Sequence, residues 1–177
     1  MKSTVFKYGT IAGVVMAVLM FITMLTIDKI SYRYAEIIGY AGMFLGFLPV
    51  FFGTRFFRDK INGGTIGFGR AFVVSAATSL FANLFYVAAW LTIYYCVPGF
   101  MEKYAHYAID QMKAAGSAQK EIDAMIQQVQ QVQQMYKNPL VNAGITYTEP
   151  LPGTIIFSLI TALLTMRKPS SGLLQQQ

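Results

Sequence analysis

The sequence predicts an all-α membrane protein with four transmembrane helices and an extracytoplasmic helical hairpin between the third and fourth of them. Four stretches contain no Asp, Glu, Lys, Arg or His: residues 8–27, 37–54, 71–97 and 150–166. Each is about as long as a helix that crosses roughly 30 Å of hydrocarbon. The chain is 55% hydrophobic and 12% charged, against about 25% charged in soluble domains. We therefore expect one four-span domain covering residues 1–177.

The charged residues outside these stretches divide into two groups. The N-terminus, residues 55–70 and the C-terminus together carry eight basic residues and one acidic residue, whereas residues 28–36 and 98–149 carry six basic and seven acidic residues. Because Lys and Arg accumulate in cytoplasmic loops, both termini and residues 55–70 are predicted to face the cytoplasm. The basic excess lies at membrane edges rather than along one groove, so nucleic acid is not an expected partner.

The first two spans are predicted to be a retained helix and a kinked helix. Span 8–27 is longer than the apolar core of a signal peptide, and its exit offers no Ala-x-Ala-like cleavage site. Span 37–54 contains Pro49, which removes a backbone hydrogen bond and predicts a kink.

Residues 55–70 form a basic, glycine-rich inner loop between the second and third spans. It has no Gly-Lys-Ser/Thr and no true Gly-x-Gly-x-x-Gly after a strand, so it does not match a phosphate-binding loop. We expect its glycines to turn the chain along the inner surface, with Phe56, Phe57 and Phe68 inserted into lipid. The candidate contacts for anionic lipid headgroups or a partner are Arg58, Asp59, Lys60, Gly63, Gly64 and Arg70.

The third span ends in an aromatic belt and contains one polar amide. Trp90, Tyr94 and Tyr95 fall where the hydrocarbon should end. Asn83 lies deep in the span, where it is expected to hydrogen-bond a neighbouring helix; the alternative is a polar step in a pathway.

Every span carries small residues four positions apart, which allow helix backbones to approach closely in lipid. We expect these stripes to face the bundle interior. They are Gly9/Gly13/Ala17, Gly42/Gly46, Ala71/Ser75/Ser79 and Thr154/Ser158/Ala162.

Residues 98–149 differ from the spans in composition. Apolar residues recur at helical spacing up to Gly116 and again from Ser117 to Asn138, where Gln fills the other faces. The second stripe steps by three and four residues, a spacing typical of a coiled-coil seam. Its members are Ile122, Met125, Val129, Val132 and Tyr136. The two helices are predicted to close on each other as an outer hairpin; the alternative is that the stripe docks a helix of a partner.

The last span begins with Glu149-Pro150-Leu151-Pro152-Gly153. Pro150 and Pro152 should interrupt any helix that arrives from Leu140, so they join Pro49 as predicted kinks. Counting back about 20 residues from Arg167 places Glu149 near the outer edge of the hydrocarbon. Asn83 and Glu149 are therefore the two candidate polar groups inside the membrane.

The sequence shows no catalytic or metal-binding constellation. It has one His and one Cys, which are too few for a His-Cys zinc cluster, and it has no HExxH or GxSxG motif. Cys96 and His106 fall at different heights and faces of a helical segment. We expect Cys96 to be a small buried hydrophobe and His106 a solvated residue. No enzyme activity, cofactor or metal is predicted.

Several of these segments together resemble one known family. The motif Arg58-Asp59-Lys60, followed by Gly63-Gly64 and by Ile66-Gly67-Phe68-Gly69-Arg70-Ala71-Phe72, is its most specific part. With the Gln-rich segment 98–149 and the Glu149-Pro150 motif, it is similar to the bacterial membrane family known as domain of unknown function 4199. The likeness covers nearly the whole chain. It implies a four-span protein of the bacterial cytoplasmic membrane and brings no assigned activity; Gly67 stands where the family pattern implies Ser.

A well-specified bundle without catalytic groups, with the inner loop 55–70 and the outer hairpin 98–149 as two appendages, favours a non-enzymatic accessory or scaffolding component. One alternative is a small channel or carrier with a pathway past Asn83, Pro49 and Glu149. A further alternative is binding or modification of lipid headgroups at the inner loop. Expected partners are the bilayer, anionic headgroups at the inner face and a protein bound through residues 98–149. The small-residue stripes are equally compatible with a monomer and a homo-oligomer.

Overall fold

A computed structural model describes residues 1–25 and 32–167 of the chain. Within these residues the structure is all-α, as predicted, and its β-type pairing is an isolated bridge between Ile66 and Arg167. The helices are α1 (Lys2–Leu25), α2 (Tyr32–Phe56), α3 (Phe68–Cys96), α4 (Phe100–Ala114), α5 (Gln119–Tyr136), α6 (Pro139–Thr148) and α7 (Leu151–Thr165). A π-helical turn, Phe57–Ile61, directly follows α2.

Three helical segments among the described residues are long and apolar enough to cross a membrane. They are Lys2–Met24, Phe68–Cys96 and Pro139–Thr165, the last of which contains α6 and α7 in succession. They overlap three of the predicted spans. The fourth predicted span, 37–54, lies inside α2 and is not among the three. Residues 26 and 27 of the first predicted span, and Lys168, lie outside the described residues.

Helix α3 is the central element, because it packs against α1, α2, α6 and α7. Helix α1 runs parallel to it, with Gly9 against Phe81 and Gly13 against Phe85. Helix α2 runs antiparallel to α1, and the α6–α7 segment runs antiparallel to α3. The bundle therefore has two distinct ends. We call them the loop end, with residues 55–70 and the C-terminus of α7, and the aromatic end, around Trp90.

The small-residue stripes lie inside the bundle, which confirms their predicted orientation. A Cβ atom at Gly13 would lie 2.5 Å from Phe85 Cδ2, and one at Gly53 would lie 2.7 Å from Tyr8 Cβ. On α3 and α7 the stripe residues are at most 2% exposed: Ala71, Ser75, Ser79, Thr154, Ser158 and Ala162. Close backbone approach through small residues is the usual way in which helices associate in lipid.

Apolar side chains fill three clusters along the bundle axis. The middle cluster joins α1, α2 and α3, and there Phe157 of α7 stacks on Phe47 at a centroid distance of 5.0 Å. The cluster at the loop end contains Phe57 and Ile66. The cluster at the aromatic end contains Met20, Ile93 and Phe100. These clusters pack α1, α2, α3 and α7 against one another.

Residues 98–149 form three helices rather than two. Helices α4 and α5 pack on each other, and the predicted seam of α5 is buried at Ile122 and Tyr136 and half-buried between them. Helix α6 instead packs along α3 and continues into α7. A turn at Glu149–Pro150, whose backbone angles stay in the right-handed helical region, separates α6 from α7. Pro152 lies in the first turn of α7, and Pro49 lies inside a continuous α2.

Replacing Gly13 by Ala should destabilise the bundle by about 1–3 kcal/mol, since the added methyl group would collide with Phe85. The matched control is Gly144→Ala in α6, where a Cβ meets nothing within 4 Å. That change should be neutral or stabilising, because Ala favours a helix over Gly by about 1 kcal/mol. Unfolding of both variants in mixed micelles measures the difference. Equal stabilities would show that α1 and α3 do not depend on this close approach.

Candidate functional site

The chain turns sharply at the loop end, immediately after α2. The N–H of Asn62 donates to the carbonyl of Phe57 at 2.9 Å, and the N–H of Gly64 donates to the carbonyl of Arg58 at 2.9 Å. Gly63 and Gly64 have φ values of +66° and +80°. Because side chains strongly disfavour this left-handed region, both positions require glycine. The predicted glycine turn is therefore explained by the backbone angles at these two positions.

The loop is tied to the end of α7 by three long-range hydrogen bonds, which we call the latch. Ile66 and Arg167 exchange N–H···O bonds of 3.1 and 2.9 Å. Arg58 Nη1 donates to the carbonyl of Thr165 at 3.0 Å. The last carbonyls of a helix have no partner within it, so Arg58 satisfies one that α7 leaves open. The latch fixes the loop against the bundle.

Arg58 also forms a two-pronged ion pair with its neighbour Asp59. Its Nε and Nη2 donate to the two carboxylate oxygens at 2.6 and 3.0 Å. The hydrogen bond from Arg58 holds the pKa of Asp59 below its usual value, and the charges of Arg58, Arg55 and Arg167 act in the same direction. The same hydrogen bond raises the pKa of Arg58. One guanidinium thus serves both the acid and the α7 carbonyl.

The aromatic residues of the loop divide between core and surface. Phe56 and Phe68 are 37% and 40% exposed, but Phe57 is 1% exposed and packs with Ile66, Ala71, Val74 and Ala162. The prediction that Phe57 inserts into lipid is therefore wrong, because the π-helical turn points its ring into the bundle. Arg70 lies over that ring, at 5.5 Å from the centroid.

The predicted basic residues end up in different roles. Arg58 is half-buried in the latch, whereas Arg55, Lys60 and Arg70 are exposed at the same end of the bundle. Asp59 is already engaged by Arg58 and lies 3.7 Å from Arg55 Nε. The loop end therefore presents a net positive surface on a fixed backbone.

A second candidate site is the interface of α3 with α6 and α7, which we call the polar seam. Its side chains are polar but uncharged, and all are at most 2% exposed. They are Ser75, Ser79 and Asn83 of α3, Asn142 and Thr146 of α6, and Thr154, Ser158, Thr161 and Thr165 of α7. Asn83 Nδ2 donates to Thr154 Oγ1 at 3.1 Å, which is the interhelical bond expected for Asn83.

A second set of polar contacts lies where the polar seam reaches the aromatic end. Trp90 Nε1 donates to Asn142 Oδ1 at 3.0 Å, and Tyr86 donates to Glu149 Oε2 at 3.3 Å. The Tyr95 hydroxyl donates to the carbonyl of Tyr136 at 2.8 Å. Burial, followed by the charge of Glu149, raises the pKa of Tyr136, so its phenol remains a donor. These bonds join the aromatic end of α3 to α5 and to the α6–α7 segment.

Sequence analysis missed Asn142 and Tyr136 as parts of this site. The signal for Asn142 lay in Leu140–Thr148, an apolar segment that carries Asn142 and Thr146 one turn apart and leads directly into the last span. Cys96 is exposed, which corrects its predicted burial, because it is the last residue of α3 and lies beyond the core. His106 is exposed as well. Over residues 1–25 and 32–167, no three His, Cys, Asp or Glu side chains come together as metal ligands would.

These features define an all-helical bundle with three membrane-compatible segments, a latched basic loop and a buried polar seam. The chain belongs to the family described as Protein of unknown function (DUF4199), whose model matches residues 7–167. The predicted family is thereby confirmed. Comparisons with curated proteins and with solved structures found no match.

The stabilising effect of Asp59 should depend on pH. Since its pKa is lowered in the folded loop, its contribution is fully present above the ordinary pKa of about 4 and is lost as the pH falls through the lower folded value. The melting temperature of the wild type should therefore exceed that of Asp59→Asn at neutral pH and converge with it in acid. Asp110→Asn on α4 is the control for removing an exposed acid. A gap between wild type and Asp59→Asn that is constant across pH would contradict the ion pair.

Proposed function

We propose that this protein is a non-enzymatic accessory or scaffolding component of the bacterial cytoplasmic membrane. In this proposal it crosses the bilayer four times with both termini inside. It offers a fixed basic surface to anionic headgroups on the cytoplasmic side and holds α4 and α5 outside as a contact for a protein partner. The observation that carries the proposal is the latched loop, which leaves Arg55, Lys60 and Arg70 exposed.

The fourth crossing is supported by the position and surface of α2. This 25-residue helix runs beside α1 and packs on α3 and α7. Large apolar side chains cover its outer surface, with Phe44 60% and Phe52 54% exposed. Such a surface is compatible with lipid and would be costly in water.

Charge supports the orientation. Lys7 Nζ lies 5.9 Å from the centroid of the Phe56 ring, so the basic start of α1 is at the loop end with Arg55, Arg70 and Arg167. Exposed aromatic rings, Phe56 and Phe68, lie among these cations. Cations beside half-exposed aromatics suit the headgroup layer of the cytoplasmic leaflet, which is rich in anionic lipid.

The α4–α5 segment is supported as a presented surface because it is anchored at both ends. Phe100, at the start of α4, packs against Trp90 with ring centroids 5.9 Å apart. Tyr136, at the end of α5, packs against Trp90 and Tyr94 at 6.4 and 5.5 Å. Between these anchors, Gln127, Gln130 and Gln134 share one exposed face of α5. Two anchors hold that face in a set position.

A second candidate function, a small channel or carrier, is favoured by the polar seam. Buried polar groups that follow a helix across the membrane either hydrogen-bond a neighbouring helix or line a pathway. The seam includes Asn83 and leads to Glu149, two of the three residues of the alternative pathway, but Pro49 lies on α2, outside the seam. The four predicted spans contain no Asp, Glu, Lys, Arg or His, and Glu149 lies just before the last of them, which disfavours ion coupling.

Neutralising the exposed cations of the loop should release bound anionic lipid. The triple change Arg55→Gln, Lys60→Gln and Arg70→Gln removes about 1 kcal/mol of attraction per residue. Native mass spectrometry in mild detergent should show a large loss of copurified anionic phospholipid. The control, Lys113→Gln, Lys120→Gln and Lys137→Gln at the opposite end, removes the same charge. If both triples retain the same lipid, the loop is not the headgroup contact.

A photo-crosslinking residue on the exposed face of α5 should capture neighbouring proteins in intact cells. We expect discrete adducts from p-benzoylphenylalanine at Gln127, Gln130 or Gln134, because the proposed partner covers this face. The same residue at Ile155, an exposed apolar position of α7, should give no protein adduct, because it would face lipid. Absence of adducts at all three Gln positions would overturn the scaffolding role of α5.

A further inference from the structure

Three oxygen atoms in the middle of the polar seam have no hydrogen-bond partner among the described residues. They are Ser79 Oγ, Asn83 Oδ1 and Ser158 Oγ, and their residues are 0% exposed. Buried polar groups in proteins are nearly always paired, because an unpaired one has lost its hydrogen bonds to water without replacement. Three in one place therefore call for an explanation beyond helix packing.

The three oxygens belong to the same level of the seam. Ser79 and Asn83 are four residues apart on α3 and so lie on one face. Asn83 bonds Thr154 of α7, and Ser75 donates to the carbonyl of Ser158 at 3.3 Å. Because the two helices are antiparallel, Ser79 lies between these contacts, facing the turn from Thr154 to Ser158. The three unpaired hydrogen-bonding groups therefore point into one small region between α3 and α7.

The donor set distinguishes between possible occupants of this region. A metal cation would find no carboxylate there, and the backbone carbonyls belong to regular helices, α3 and α7. Uncharged oxygens alone compensate poorly for removing a cation from water. A water molecule needs only two to four polar partners, and it can donate to Asn83 Oδ1 while accepting from serine hydroxyls. We propose that the seam binds internal water at Ser79, Asn83 and Ser158.

Hydrogen bonds at both ends of the seam enclose this site. At the loop end, Arg58 donates to the carbonyl of Thr165, and Ile66 pairs with Arg167. At the aromatic end, Trp90 donates to Asn142. The water is thus internal to the bundle and joins α3 to α7 at the level where lipid offers no hydrogen bonds. The proposal requires a membrane-embedded bundle, and it stands whether or not the chain scaffolds a partner.

Water-edited solid-state NMR of the chain in bilayers tests the proposal directly. With ¹⁵N-labelled Asn and Ala, magnetisation from water should reach the Asn83 side-chain amide several-fold faster than the backbone amide of Ala82. Ala82 is the matched dry reference, because it is 0% exposed on the same helix but packs against α1. The Asn62 side chain in the loop provides the hydrated reference. Transfer to Asn83 as slow as to Ala82 would overturn the proposal.

The double variant Ser79→Ala and Ser158→Ala tests the assignment of the site. It removes two of the three proposed water partners with little change in volume, and it should slow transfer to Asn83 to the rate of Ala82. Fast transfer that persists in this variant would place the water elsewhere and overturn the assignment. Exchanging Na⁺ for choline should leave the Asn83 resonance unchanged; a shift would identify a bound cation and also overturn it.

Discussion

The rest of the structure depends on one constraint: polar groups between α3 and α6–α7 must be satisfied inside the bundle, because hydrocarbon offers no hydrogen bonds. Apolar packing alone does not select a partner helix in lipid. The bonds from Asn83 to Thr154 and from Trp90 to Asn142 do select one, since each requires a particular height and face. The register of α3 against α6–α7 is therefore set by hydrogen bonds, and the glycine contacts of α1 and α2 complete the packing around it.

At the loop end the same requirement applies to the backbone. The last carbonyl of α7 and that of Arg167 just after it need donors, and the chain supplies them from residues about a hundred positions earlier, through Arg58 and Ile66 respectively. Because Arg58 is committed to Thr165 and to Asp59, the exposed positive charges of the loop are those of Arg55, Lys60 and Arg70. The contacts of Arg58 thus both order the loop and determine which of its cations remain at the surface. The motif Arg58-Asp59-Lys60 combines a structural residue, its counter-ion and a free cation.

Sequence analysis recovered the features that have a local signal. Charge-free stretches predicted the long helices, small residues four apart predicted the interior faces, and Gly63-Gly64 predicted the turn. It did not recover the burial of Phe57, because the π-helical turn that reorients this ring has no marker in the sequence. Nor did it recover the latch, because the contact of Arg58 with Thr165 joins residues 107 positions apart. Trp90 was predicted as part of the aromatic belt, but its hydrogen bond to Asn142 was not predicted, because that bond depends on where α6 packs.

The α6–α7 segment connects the two ends of the molecule. Its first helix packs against α5 and accepts the Trp90 bond, and its last turn accepts the Arg58 bond, which anchors the basic loop. The basic loop and α5 therefore both contact one 27-residue segment, which is hydrogen-bonded to α3 at Thr154 and Asn142 and is interrupted by a turn at Glu149–Pro150. A displacement of this segment along α3 would have to break bonds at both ends together.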